Sequence, residues 1–150
     1  MRRIIGLTLV IALSAAALAQ QGRKFQIDPQ TPEGQLLQKA GRASTDGEKI
    51  AVYEEFLATY PGHAGVVFAW NQVQPLLLKA GALDKVISGA ALILAAEPDN
   101  SPAAYNGLQA EEQKGDAAAI IDWANRTVVA AHKAIESKKP EGDAEAANWA

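Results

Sequence analysis

The chain contains no cysteine. That excludes disulfide staples, thiol nucleophiles and cysteine metal sites together. Histidine is almost as scarce, with only His63 and His132, far apart and in no His-x-x-x-His pattern. Ser44, Ser88, Ser101 and Ser137 stand in no arrangement with an acid and a histidine, so a Ser-His-Asp relay has no visible parts. Gly-Lys-Ser/Thr never occurs, which removes the phosphate-binding loop, and Asp99-Asn100 lacks the alternating oxygen ligands of a calcium loop and reads as a turn. Lys and Arg number 14 against 17 Asp and Glu, with no basic stripe, so neither nucleic acid nor an anionic membrane surface is expected as a partner. No segment sustains a period of two, so no sheet is expected. These absences predict a protein that is not an enzyme and that holds no metal and no cofactor. A hydrolytic site is the alternative, and it would need two buried acids with raised pKa values.

What is present begins at the N-terminus. Arg2-Arg3 is followed by the apolar run Ile4 to Leu13 and by small residues ending in Ala17-Leu18-Ala19. Basic, apolar and small-residue regions in that order are those of a secretory signal peptide at 1–19, with cleavage before Gln20. The apolar run is short for the ~20 residues of a membrane span, so no stable membrane insertion is expected after cleavage. The expected location is the periplasm or outside the cell. Cleavage removes two arginines and no acid, taking the net charge from -3 to -5.

Residues 20–30 read as a flexible leader, and helical signals follow. Thr31-Pro32 caps and opens a helix carrying Leu36, Leu37 and Ala40, weakened by Gly34 and ended near Gly41. Thr45-Asp46-Gly47-Glu48 has capping-box spacing, with Ile50, Tyr53, Phe56, Leu57 and Tyr60 behind it and Pro61-Gly62-His63 as the stop. A third helix, from about Ala64 to Ala80, carries Val66, Val67, Trp70, Val73 and Leu77 and continues through Pro75 with a kink. The fourth, from about Ala82 to Glu97, turns Leu83, Ile87, Ala90 and Leu94 inward, flanked by Val86 and Ala91. Ser101-Pro102 starts the fifth, which reaches Lys114. After Gly115-Asp116 a long sixth helix lines up Ile120, Ala124, Thr127, Ala131 and Ile135, with Trp123 and Val128 beside them. The domain at 31–137 is thus all-α, with three antiparallel helix pairs.

Trp70 and Ala104, Gly81 and Gly115, and Ala90 and Ala124 are each 34 residues apart. A period of 34 with two helices per unit resembles the tetratricopeptide family. The resemblance rests on Ile50 to Pro61 and on Trp70, Leu77, Gly81, Leu83, Val86 and Pro98, and covers about Thr31 to Ser137. This chain departs from the pattern at Gln74, where the family prefers glycine, at Val86, where alanine is usual, and at Pro75. Pro61 to Pro98 is 37 residues, and His132 stands near the place of a closing proline.

The resemblance implies a short solenoid whose first helices line a concave binding face. Carried over, it nominates Asn71, Leu78 and Lys79 in the middle pair and Tyr105, Gln109, Glu112 and Gln113 in the third, with Tyr105 as the strongest candidate. The expected function is binding of a peptide or partner protein there. The alternative is a self-associating structural subunit, because the last helix has no clear cap. The polar tail at 138–150, with its single Trp149, reads as the opening of a further helix, so the chain is expected to be a fragment or a shortened relative of a longer protein. Trp149 folded back as a cap is the other reading.

Overall fold

Local capping sets where the helices start. In the computed structural model, which describes residues 26–137, six α-helices follow one another. They are α1 (Pro32–Arg42), α2 (Asp46–Thr59), α3 (Val66–Lys79), α4 (Leu83–Ala96), α5 (Ser101–Lys114) and α6 (Ala117–Glu136), with no strand among the described residues. Thr31 caps α1 by accepting from the Gly34 N–H, and Thr45 with Glu48 completes a capping box on α2. The α5 cap is Asn100 rather than Ser101, with its side chain accepting from Ala103 N–H, so Ser101 becomes the first helical residue. Asp116 caps α6 with bonds from Ala118 and Ala119. Gly115 ends α5 in the left-handed region at φ +81, which any other residue enters only with strain. α3 runs as one helix through Pro75. The signal peptide expected at 1–19, the leader up to residue 25 and the tail at 138–150 lie outside the described residues.

Each helix packs on its successor, and α3 also touches α5, as stacked antiparallel pairs in a solenoid-like array require. The first helices start at Pro32, Val66 and Ser101, spaced 34 and 35 residues, and the second at Asp46, Leu83 and Ala117, spaced 37 and 34. The core is made by Leu37, Phe56, Val73, Leu77, Val86 and their neighbours. On α1 the expected Leu37 and Ala40 are buried, while on three later helices the buried centre differs from the expected face. On α2 it is Val52, Tyr53 and Phe56, with Ile50 and Leu57 only partly buried. On α4 it includes Ile93, while Ala91 faces solvent. On α6 only Trp123 and Ala130 are buried.

Two contacts fix how closely the helices of a pair approach. A Cβ on Gly89 of α4 would lie 2.7 Å from Cζ3 of Trp70 on α3, and one on Gly107 of α5 would lie 2.5 Å from Cε3 of Trp123 on α6. Neither ring leaves room for any side chain. Trp70 and Ala104 are one repeat apart, and so are Gly89 and Trp123. The middle pair thus carries its ring on the first helix and the last pair on the second, and a small residue stands wherever the repeat-equivalent ring is missing. Gly34 is constrained in the same way, because a Cβ there would collide with the carbonyl of Asp28. That carbonyl also accepts from the N–H and the hydroxyl of Thr31.

Gln74 is fully buried yet satisfied. Its Nε2 donates to the Val86 carbonyl at 3.1 Å, and its Oε1 accepts from Asn106 Nδ2 at 3.0 Å. One amide therefore joins α3 to α4 and to α5, which a glycine at that position cannot do. A buried amide with both ends bonded adds little net energy, but removing it strands its partners.

Two glycine substitutions should act in opposite directions in urea unfolding followed by circular dichroism. Gly89→Ala should lose about 1–3 kcal/mol, because the Trp70 ring must move. Gly41→Ala, in the last turn of α1 with nothing within 4 Å, should gain about 0.5–1 kcal/mol from helix propensity. A further variant, Gln74→Ala, should cost about 1–3 kcal/mol by leaving Asn106 and the Val86 carbonyl unpaired.

Candidate functional site

The seven residues nominated from the sequence all lie on α3 and α5, the two first helices in mutual contact. Their surroundings divide them. Asn71 is half-buried, and its Oδ1 accepts from Asn100 Nδ2 at 3.1 Å; the same amide donates to Glu97 Oε2 at 2.8 Å. Asn71 is thereby committed to the corner where α4 gives way to α5. Leu78 packs against the core. Lys79 is exposed, but its Nζ lies 2.6 Å from Asp46 Oδ2 on α2. On α5, Tyr105 is 51% exposed, Gln109 one turn later is half-buried, and Glu112 and Gln113 are exposed. Apart from Lys79, the exposed residues among the seven are therefore Tyr105, Glu112 and Gln113 on α5.

The Lys79–Asp46 pair has a repeat-related counterpart. Lys114, the last residue of α5, lies 2.8 Å from Asp84 in the first turn of α4. In each case the cation ends a first helix and the acid opens the preceding second helix, where both helix dipoles favour the charges. The hydrogen bond and charge of Lys79 hold the Asp46 carboxyl below its ordinary range, and the same contact raises Lys79. Lys114 is raised chiefly by its bond to Asp84. Glu48 is lowered by the N–H groups of Thr45 and Ser44. These exposed pairs act as register marks between units more than as sources of stability.

Concavities also lie elsewhere. An open groove of about 560 Å³ between α1 and α2 is lined by Gln35, Lys39, Arg42, Ser44, Glu48 and Ala51. A smaller cavity of about 70 Å³ brings together Asp28, Thr31, Glu33 and His63. His63 Nδ1 accepts from Gly65 N–H at 3.0 Å, which leaves Nε2 facing Glu33 Oε1 at 4.0 Å. The one hydroxyl there, on Thr31, donates to Asp28 and accepts from Gly34, so it is occupied in capping. The cavity thus sets two carboxylates and an imidazole beside a hydroxyl already engaged in capping. Among the described residues no three of His, Cys, Asp and Glu gather as a metal site, and no helix is long and apolar enough to cross a membrane.

Gln74, Asn100 and Asn106 were missed as organising residues. Gln74 had a signal: it is four residues after Trp70 and three before Leu77, and so falls on the buried stripe. Its partners are set by tertiary packing and had none. Compared with known protein families, with curated proteins and with solved structures, the chain matches none.

The Lys79–Asp46 contact has a pH signature. A depressed carboxyl contributes stability that is complete above its ordinary pKa of 3.8 and is lost as pH falls through its folded value. The raised Lys79 contributes fully below 10.5 and loses its share as pH rises past its folded value. Carbon-detected NMR titration should find Asp46 titrating below 3.8 in the unaltered chain. In Lys79→Met it should move back up toward that value. An unmoved Asp46 would show that the two side chains do not meet in solution.

Proposed function

We propose that this chain is a tetratricopeptide-like module, exported through general secretion to the periplasm or beyond, that binds a protein or peptide along its first helices. The observation that carries the reading is the side-by-side packing of α3 and α5 with Tyr105 half out in solvent and Gln109, Glu112 and Gln113 on the turns that follow. A tyrosine in that position offers a rigid apolar face and a hydroxyl at small entropic cost, the combination that recurs at binding hot spots. The helix-start spacings of 34 and 35 residues among the first helices support the repeat assignment. The ligand that suits this face is a polypeptide segment with an apolar group for the Tyr105 ring and hydrogen-bonding groups for the amides. A small molecule would need a deeper enclosure than the open surface of α5.

A photoreactive phenylalanine analogue placed at Tyr105 tests this in the native cell. It should give a discrete protein adduct, while the same group at exposed Ala58 on α2 should give none. Equal labelling from both positions would contradict the reading. Tyr105→Ala should weaken binding of the captured partner by about thirtyfold, the scale of a ~2 kcal/mol hot spot.

A further inference from the structure

Asn106-Gly107 is a turn dipeptide by composition, yet it sits in the middle of α5. Both residue types are poor helix formers, and it is tertiary packing that demands each of them. Gly107 is buried under the Trp123 ring, where a Cβ would lie 2.5 Å from Cε3. Asn106 is half-buried, and its Nδ2 donates to Gln74 Oε1 at 3.0 Å. The chain has asparagine at Asn71, Asn100, Asn106, Asn125 and Asn148, and Asn106 alone is followed by glycine.

That pair has a chemistry of its own. The backbone nitrogen after an asparagine can give up its proton to hydroxide and attack the side-chain Cγ. A succinimide ring closes as the Cγ–Nδ2 bond breaks, and Nδ2 leaves as ammonia with a proton taken from water. Water then opens the ring at Cγ, giving aspartate, or at the main-chain carbonyl, giving isoaspartate with one more carbon in the backbone. One water enters, one ammonia leaves, and nothing is oxidised. A following glycine favours the attack, because no Cβ obstructs it and the backbone turns freely. In α5 the attack is blocked. Gly107 is the seventh residue from Ser101, past the N–H groups that a helix start leaves free, so its nitrogen is held in the hydrogen-bond ladder. The helical backbone also turns that nitrogen away from Cγ, and Nδ2 is held by Gln74.

We propose that Asn106-Gly107 is a self-modifying site, closed while α5 is folded and opened when it unfolds, whose products no longer fit the array. Aspartate at position 106 puts a carboxylate oxygen where Nδ2 donated to Gln74 Oε1, acceptor against acceptor. Turning the Gln74 amide over does not help, since its oxygen then faces the Val86 carbonyl to which Nε2 now donates. Isoaspartate lengthens the backbone and interrupts the ladder of α5 beside the Trp123 contact. α5 packs on α3, α4 and α6, so a passing opening of this one helix becomes a permanent loss for its neighbours. The inference concerns the α5 backbone and the Gln74 amide, and it stands independently of the proposed function.

The full chain is incubated at mildly alkaline pH in plain buffer and in guanidinium chloride, digested, and each asparagine read by tandem mass spectrometry. Asn106 should convert in denaturant and about a hundredfold more slowly in buffer, because a site reached only through opening reacts in proportion to its open fraction. Asn125, exposed on α6 and followed by arginine, should keep its amide in both. Conversion of Asn106 in buffer at the denaturant rate overturns the closed site. The products are tested by substitution, read as midpoints of chemical unfolding. Asn106→Ala, which removes the donor, should unfold at lower denaturant than the unaltered chain. Asn106→Asp, which opposes two acceptors, should unfold at lower denaturant still or fail to fold. An Asn106→Asp chain as stable as the unaltered one overturns the claim that the product no longer fits.

Discussion

Two tryptophan rings resting on two glycine backbones set the spacing on which the rest of this array depends. With no disulfide to hold it, the chain is kept folded by apolar burial, and burial works only if the helices of a pair come close. At Gly89 and Gly107 the missing side chain lets a ring lie directly on the facing helix. A glycine inside a helix costs about 0.5–1 kcal/mol relative to alanine. Fitting the ring without a void or a clash is worth more than that. The rings come from opposite helices in the two pairs, Trp70 of α3 lying over Gly89 and Trp123 of α6 over Gly107.

Polar groups then fix the register that burial alone leaves loose. Apolar surfaces slide, but Gln74 has one geometry in which both ends of its amide are bonded, and that geometry positions α4 and α5 together. The Asn71–Asn100 contact and the two Lys–Asp pairs repeat the principle at the edges of the stack. As a result several polar side chains on the first helices are structural. The side chains that the first helices leave exposed are fewer than the row of nominated positions, and on α5 they include Tyr105.

How much of this was legible in the sequence follows from the range of each interaction. Helix boundaries were, because Thr31, Thr45 with Glu48, Asp116 and Gly115 act within a turn of themselves. The cap expected at Ser101 falls on Asn100 because adjacent residues can both cap, and only the backbone angles choose. Helical periodicity located the buried stripe of each helix but not its centre. α2 and α4 each meet neighbours on two sides, which moves the centre to Phe56 and to Ile93. Gly34 read as a weak point, and only the fold reveals that Asp28 leaves it no alternative. The candidate face came from the resemblance to tetratricopeptide repeats, and on it Tyr105 is half exposed. The pairing of Lys79 with Asp46 and of Asn71 with Asn100 spans 33 and 29 residues, beyond what any local pattern carries.

The spacing of the core is set by ring-on-glycine contacts, and the exposed face of α5 proposed for recognition depends on the pairs closing to that spacing. The most direct test is a double-mutant cycle between Trp70 and Gly89, read by chemical unfolding. In the Trp70→Ala background the ring is gone, so adding Gly89→Ala should be neutral or mildly stabilising, with a coupling of about 1–3 kcal/mol between the two sites. If Gly89→Ala costs the same with and without the ring, the tryptophan does not lie on the glycine in solution, and the account of how this array is held together is wrong.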